Sequence, residues 1–275
     1  GTARDHTDGA FACHELGGER PARWPGRADD CDTLEGECHV SCLPRMMPGM
    51  LRDLPDPVQR YVKHVLGDEQ RPIRVMRMTQ SGELRTDPRR PRWMKFRAQH
   101  VVMPESRRFS WDARVRVLPL LHLRVRDAYA EGVGSGQVQL LSTVTVASDR
   151  NRPELNTASL HRYLAEAVWY PTALLPSAGV QWRPVDERSA VATLSDAGNT
   201  VSLEFRFNDR AEVVGIRTEG RWNRTARGYE LTPWEGHFSG YRRHQGVLVP
   251  AKGEVGWQAN GRLEIVWRGE IASLE

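Results

Sequence analysis

Residues 154–176 read ELNTASLHRYLAEAVWYPTALLP and form the longest helical pattern in the second half of the chain. The apolar positions share one helical face: Leu160, Tyr163, Leu164, Ala167 and Val168. Their spacing is that of an amphipathic α-helix, and Pro171 stops the pattern. Asn156 and Thr157 are residue types that cap helix N-termini. The sequence therefore predicts one central helix at about 158–169.

On both sides of this segment the apolar period changes from that of a helix to two, which is typical of β-strands. The clearest case is residues 109–117, where one face is apolar: Phe109, Trp111, Ala113, Val115 and Val117. Short polar turns separate the later strands, which predicts a large antiparallel meander. A sheet of that size must curl. The predicted fold is mainly β: a half-barrel or open barrel with the central helix packed in its concave side.

A second, shorter helix is predicted near the start of this sheet. Residues 54–66 read LPDPVQRYVKHVL, and the prolines suit a first helical turn. The apolar side chains of this segment fall on one face. We expect a helix at about 56–66 and a single β-rich domain over residues 51–275.

The first fifty residues differ in composition from the rest. They are rich in Gly, Pro and acidic residues, lack an apolar period, and contain all four cysteines: Cys13, Cys31, Cys38 and Cys42. The composition favours a disordered or spurious leader over residues 1–50. Zinc binding and disulfides stay open as alternatives, although the cysteines lack the tight pairs of a structural zinc site.

Composition narrows the class of protein and its partners. Apolar residues make up 39% and charged residues 27% of the 275 residues, and the net charge is +4. No apolar stretch approaches the roughly 18 residues of a membrane span, and no secretory signal is visible, which predicts a cytoplasmic protein. Arginines alternate with apolar residues along the strands, as on a solvated sheet face, which disfavours nucleic acid as a partner. Peripheral contact with an anionic membrane stays open.

Short motifs predict no cofactor. The glycine-rich bend at residues 132–136 lacks the spacing, the lysine and the following helix of a phosphate-binding loop, and a hairpin turn or bulge fits it better. The histidines show no paired spacing typical of a metal site, and residues 51–275 contain no cysteine for a Cys-His nucleophile.

Six segments together resemble a bacterial family known only as a domain of unknown function: LPDPVQRYV, FSWDARVRVLP, RVRDAY, RYLAEAVWYPTALLP, TPWEGHFSGYR and GVLVPAKGEVGW. The resemblance covers about residues 53–258. More loosely, the curled sheet and the sequence motif Y-x-x-x-x-G-x-x-V-P, from Tyr241 to Pro250, are similar to those of lipoprotein-carrier domains of the LolA/LolB type. That resemblance implies a half-barrel with a helix across its mouth and an apolar cavity for acyl chains.

These patterns suggest a ligand-binding cup between the sheet and the central helix. Its predicted lining residues are Trp111, Arg162, Tyr163, Glu166, Trp169, Tyr170, Trp234 and Tyr241. Arg162 and Glu166 are one turn apart, so we expect them to pair and to hold a polar head group. The predicted function is binding of a hydrophobic or amphipathic small molecule or lipid. One alternative is an enzyme of small-molecule metabolism that uses Glu166 or Asp127 as a buried carboxylate, and whether the protein is an enzyme is left open. A second is a membrane-surface or protein-interaction module with an arginine-rich sheet face.

Overall fold

A computed structural model describes residues 51–67, 72–85, 92–225, 227–259 and 261–275. The predictions for residues 1–50, including the leader and the cysteine-based zinc and disulfide alternatives, lie outside this part of the chain. The division into a leader and one domain therefore stays a prediction.

Two α-helices occur in the described residues. Helix α1 spans Asp56–Leu66, as the sequence predicts, and has a proline in its first turn. Helix α2 spans Pro153–Glu166 and continues as a 3₁₀ turn over Ala167–Trp169. The central helix thus reaches the predicted end but begins about a turn earlier than predicted.

The expected caps are wrong, because Asn156 and Thr157 lie inside α2 and not at its start. The N-cap is Arg152, and Pro153 occupies the first turn. Asn156 instead accepts a hydrogen bond at Oδ1 from the backbone N–H of Gly134 over 2.8 Å. A residue type suited to capping therefore ties the helix to the sheet.

The strands form a single antiparallel sheet. They are β1 (Met76–Leu84), β2 (Met94–Met103), β3 (Arg108–Leu118), β4 (Leu121–Ala130), β5 (Val133–Leu140), β6 (Val144–Arg150), β7 (Gln181–Asp186), β8 (Ser189–Asp196), β9 (Asn199–Phe207), β10 (Val213–Thr225), β11 (Gly228–His244), β12 (Val247–Ala259) and β13 (Arg262–Leu274). Their order is β6-β5-β4-β3-β2-β1-β13-β12-β11-β10-β9-β8-β7. The chain therefore runs outward to one edge, crosses through α2 to the other edge, and returns until β13 pairs with β1. The predicted meander is confirmed.

The contacts of α2 show that this sheet is curled. The helix packs against β4 and β5 near one edge and against β9 and β10 near the other. In a flat sheet β5 and β9 would be about 40 Å apart, at roughly 4.8 Å per strand, whereas a helix is only about 10–12 Å across. One helix reaches both sets of strands only on the concave side of a curled sheet. Since β6 and β7 remain as edges, the described sheet is an open half-barrel, as predicted.

Two apolar clusters of different size form the core of the described residues. The larger cluster joins α1, α2 and strands β8–β12. It includes the fully buried side chains of Leu160 and Leu164 on α2 and of Val168 in the 3₁₀ turn that follows. The smaller lies on β2 and β3 and consists of Phe96, Ala98, Trp111, Ala113 and Val115. Several of the apolar residues packed on this smaller cluster are only partly buried, which leaves room between α2 and that part of the sheet.

Candidate functional site

A cavity of about 360 Å³ occupies the space between α2 and the concave face of the sheet. Its lining residues come from α2 and the turn after it, from β1–β5 and from β10–β13. Strand pairing explains one wall, because opposed residues of an antiparallel pair point to the same face. Trp111 lies opposite Asp127, and Val115 lies opposite Leu123, so these four side chains face the cavity together.

Tryptophans dominate the lining. Five of them contribute: Trp111, Trp169, Trp234, Trp257 and Trp267. The indole N–H of Trp111 donates to Gln80 Oε1 over 2.9 Å, and that of Trp169 donates to Pro250 O over 3.0 Å. Their polar atoms are therefore occupied within the protein, which leaves the rings as apolar surface.

The predicted charged residues Asp127, Arg162 and Glu166 meet in the wall of this cavity. Arg162 Nε donates to Glu166 Oε1 over 2.8 Å, and Arg162 Nη1 donates to Asp127 Oδ2 over 2.9 Å. The first bond lies within α2 at the expected spacing of four residues, and the second joins α2 to β4. Both carboxylates thus share one guanidinium.

Burial shifts the titration of this group of residues. It raises the pKa of Asp127, although the charge of Arg162 opposes the shift. Burial also acts to lower the pKa of Arg162, but attraction by Glu166 and Asp127 outweighs it and the pKa is raised. Arg162 is therefore a permanently charged group that its two carboxylates already neutralise.

His100 on β2 lies next to Glu166, and no sequence motif had indicated it. Its Nε2 is 3.4 Å from Glu166 Oε2, and its side chain is fully buried. Burial lowers the pKa of His100 to about 4, against the attraction of Glu166. The imidazole is accordingly neutral at pH 7. Neither of its nitrogens has a hydrogen-bond partner among the described residues.

Arg221 on β10 is a second arginine in the cavity that the sequence did not indicate. Its guanidinium carbon lies 4.6 Å from the ring centre of Trp234 and 5.3 Å from that of Trp257. Both Nε and Nη2 donate to the carbonyl oxygen of Ala158, over 3.3 Å and 3.1 Å. Burial and repulsion by Arg162 lower the pKa of Arg221 to about 10, so it still carries a charge at pH 7.

A β-bulge explains why alternation along β10 does not reveal Arg221. Thr218 pairs with Trp234, but Arg221 pairs with Thr232, so β10 contains one residue more than β11 over this stretch. Simple alternation from Thr218 would turn Gly220 inward and Arg221 outward. The extra residue reverses this and aims Arg221 at the cavity.

The eight residues predicted to line the cup divide into two groups. Trp111, Arg162, Glu166, Trp169 and Trp234 line the cavity, as does the candidate carboxylate Asp127. The three tyrosines lie elsewhere, and each donates its hydroxyl hydrogen to a backbone carbonyl: Tyr163 to Pro104, Tyr170 to Tyr163, and Tyr241 to Val213. Tyr163 and Tyr170 are buried in the core, and Tyr241 on β11 is partly buried against it.

Two further features bear on the site. No three His, Cys, Asp or Glu side chains are grouped to hold a metal ion in the part of the chain that the structure describes. Neither described helix is long and apolar enough to cross a membrane.

Comparisons with known proteins identify a family but no activity. No curated protein matches the chain. The crystal structure of a LolA superfamily protein from Nitrosomonas europaea is similar, with 8% sequence identity, a TM-score of 0.45, and coverage of 80% of this chain and 91% of the other. A family model described as a family of unknown function, DUF6544, matches residues 44–269. The match confirms the resemblance that the sequence motifs indicated, and the chain belongs to this family.

Proposed function

We propose that this protein binds a hydrophobic or amphipathic small molecule in the cavity between α2 and the sheet. The supporting observation is an apolar wall of five tryptophans beside a cluster of charged side chains, in a space of about 360 Å³. Small-molecule sites in proteins are mostly apolar pockets of roughly 300–1,000 Å³ with a few convergent polar groups. The cavity has this composition and this size.

The test uses the full chain and a matched pair of tryptophan variants. Trp257 lines the cavity, whereas Trp182 packs on Phe205 in the larger core cluster, and both are partly buried. The purified protein is titrated with N-phenylnaphthylamine, a neutral apolar fluorophore, and extracted with organic solvent for mass spectrometry. We expect Trp257→Ala to weaken probe binding about tenfold, the equivalent of about 1.4 kcal/mol, and Trp182→Ala to leave it unchanged. A wild-type protein that neither binds the probe nor yields an extractable molecule would overturn the proposal.

Proton transfer at Asp127 is a second candidate, favoured by the raised pKa of this cavity-facing carboxyl. A comparison of the molecules extracted from wild type and from Asp127→Asn tests it. An enzyme would leave product in the wild type and unconverted substrate in the variant. The same molecule in both proteins would favour binding alone.

Peripheral contact with an anionic membrane has its own supporting observation. Leu120, in the turn between β3 and β4, is 95% exposed, and Arg114 and Arg116 lie near it on the outer face of β3. We expect the chain to sediment with vesicles that contain phosphatidylglycerol and to do so less after Leu120→Ser. Leu231→Ser, at an exposed leucine on β11, is the control. Equal sedimentation of both variants with the wild type would count against this contact. The cytoplasmic location stays a prediction.

A further inference from the structure

The cavity wall contains three arginines, and one of them differs from the others in its partners. Arg85 is 3.2 Å from the carboxylate of Glu264, and Arg162 holds both Asp127 and Glu166. Among the described residues, Arg221 forms no ion pair. It is a positive charge in a largely apolar cavity without an acid of its own.

The hydrogen bonds of Arg221 leave part of its guanidinium open. Nε and Nη2 both donate to the same carbonyl oxygen, that of Ala158. A guanidinium has further N–H donors, and the Nη1 end has no acceptor within the described chain. Because the guanidinium lies over two tryptophans that line the cavity, its unbonded donors are beside the space that a ligand would fill.

The position of the guanidinium is fixed by its surroundings. It lies over the rings of Trp234 and Trp257, and the bond to Ala158 anchors its other edge to α2. A planar cation held in this way loses little conformational entropy when it pairs with an anion. Charge-assisted hydrogen bonds in such a water-poor site are also stronger than those at the surface.

The neighbouring carboxylates do not occupy this donor. Asp127 and Glu166 are close enough to attract Arg221 electrostatically, but their hydrogen bonds run to Arg162. Arg162 and Arg221 also repel each other, and a further negative group between α2 and β10 would relieve that repulsion.

Away from Arg221 the wall becomes apolar. Val125, Leu123 and Val115 continue it along β4 and β3 towards the turn between these strands. A cation without an ion-pair partner beside an apolar wall along β3 and β4 fits a molecule with one charged end and an apolar body.

We propose that the ligand is an amphiphile with a single anionic head group, which pairs with Arg221 while its apolar part lies along the β3–β4 wall. This inference rests on the proposed function, because it specifies the ligand of the same cavity. The sequence suggested that Arg162 holds the head group. We assign this role to Arg221 instead, because Asp127 and Glu166 already neutralise Arg162.

The experiment distinguishes the contribution of the head group to binding from that of the alkyl chain. Dodecanoate, dodecanol and dodecylamine share one alkyl chain and are used below the concentrations at which they aggregate. Each competes with N-phenylnaphthylamine for the full-length protein. We expect dodecanoate to displace the probe at about tenfold lower concentration than dodecanol, and dodecylamine to be the weakest competitor.

Variants of two arginines on β10 show which residue causes the preference for dodecanoate. Arg221→Gln should make dodecanoate and dodecanol equally effective competitors, each compared at the probe affinity measured for that variant, and Arg221→Lys should retain part of the preference for dodecanoate. Arg217→Gln is the control, because Arg217 also lies on β10 but pairs with the exposed Glu219.

The possible outcomes distinguish a failure of the head-group assignment from a failure of the binding function. The assignment of an anionic head group is overturned if dodecanol and dodecanoate displace the probe from the wild type equally well, or if the preference for dodecanoate survives in Arg221→Gln. In both cases the apolar binding function stands. If none of the three competes and the wild type does not bind the probe, both proposals are overturned.

Discussion

Arg162 on α2 and Asp127 on β4 are joined by a hydrogen bond of 2.9 Å, which connects the central helix to the sheet at the edge of the cavity. The same guanidinium holds Glu166 one helical turn away. Two carboxylates in a partly desolvated site therefore depend on one cation. Removal of that cation would leave both without a hydrogen-bonded counter-charge, and only the charge of Arg221, which bonds neither of them, would remain nearby.

Arg162→Met should consequently be strongly destabilising. We expect a loss of about 3 kcal/mol in the free energy of unfolding, since breaking a buried ion pair by removing one partner leaves uncompensated charge. Urea denaturation measures the change. Addition of Asp127→Asn should restore part of the loss, because it removes one of the two stranded charges.

Arg124→Met is the control for this prediction. Arg124 binds Asp112 on the outer face of the sheet, where water screens the pair, and its removal should cost under about 1 kcal/mol. Equal losses for the two methionine variants would show that the cavity does not desolvate the Arg162 cluster.

Arg221→Met should stabilise the protein, in contrast to Arg162→Met. Arg221 is a desolvated cation without an acidic partner, and burial with repulsion from Arg162 lowers its pKa to about 10. Replacement by an apolar side chain of similar length removes that penalty, and we expect a gain of about 1 kcal/mol, or about 2–4 °C in melting temperature. Differential scanning calorimetry without added ligand measures it. A clear drop in melting temperature would mean that the stacking on Trp234 and Trp257 outweighs the cost of the charge.

The stability of the protein should fall as the pH is lowered from about 6.5 to about 4. Burial lowers the pKa of His100 and of His161 to about 4, so the unfolded chain binds protons that the folded chain excludes. Each histidine therefore contributes stability that is complete above the unfolded pKa of about 6.5 and is lost as the pH falls through the folded value.

His100→Gln isolates one of these contributions. The raised pKa of Asp127 acts in the opposite direction, so the informative quantity is the difference between wild type and variant at each pH. We expect the urea midpoint of His100→Gln to depend less steeply on pH over this window. Parallel pH profiles for the two proteins would contradict the buried, neutral state of His100.

Gly134→Ala should destabilise the junction between α2 and β5. A Cβ at this position would lie 2.7 Å from the carbonyl oxygen of Leu155 and 2.6 Å from Oγ of Ser159, so the helix would have to move. We expect a cost of about 1–3 kcal/mol, in the range of overpacked cores. Gly136→Ala is the matched control on the same strand, because its nearest neighbour would be Asp127 Oδ1 at an ordinary 3.4 Å. Similar urea midpoints for both variants would argue against this close approach.

Much of the fold follows from local patterns. Helix α1 needs only its proline-rich start and its apolar face, and β3 needs only a strict alternation from Phe109 onward. The ion pair between Arg162 and Glu166 follows from helical spacing, since residues four apart lie one above the other.

Other features escaped the sequence because they depend on neighbouring strands. Asn156 is a capping residue type, but the N–H of Gly134 on β5 determines where its side chain binds. Tyr163 and Tyr170 have the same amphipathic character as Trp169, yet they are buried in the core, where the hydroxyl of Tyr170 donates to the carbonyl oxygen of Tyr163. Periodicity indicates that a side chain is buried and not what it is buried against.

The sequence by itself determined the curled antiparallel sheet and the helix in its concave side, because alternation and helical periods record which face of each element avoids water. The family followed from the resemblance of its sequence motifs. The tertiary structure alone decided which polar groups meet in the cavity. The order of the strands and the position of α2 bring His100 on β2 next to Glu166. Arg221 faces inward because a bulge adds one residue to β10. A one-residue change of register moves a side chain to the opposite face of a sheet, and only the pairing of β10 with β11 shows that it occurred.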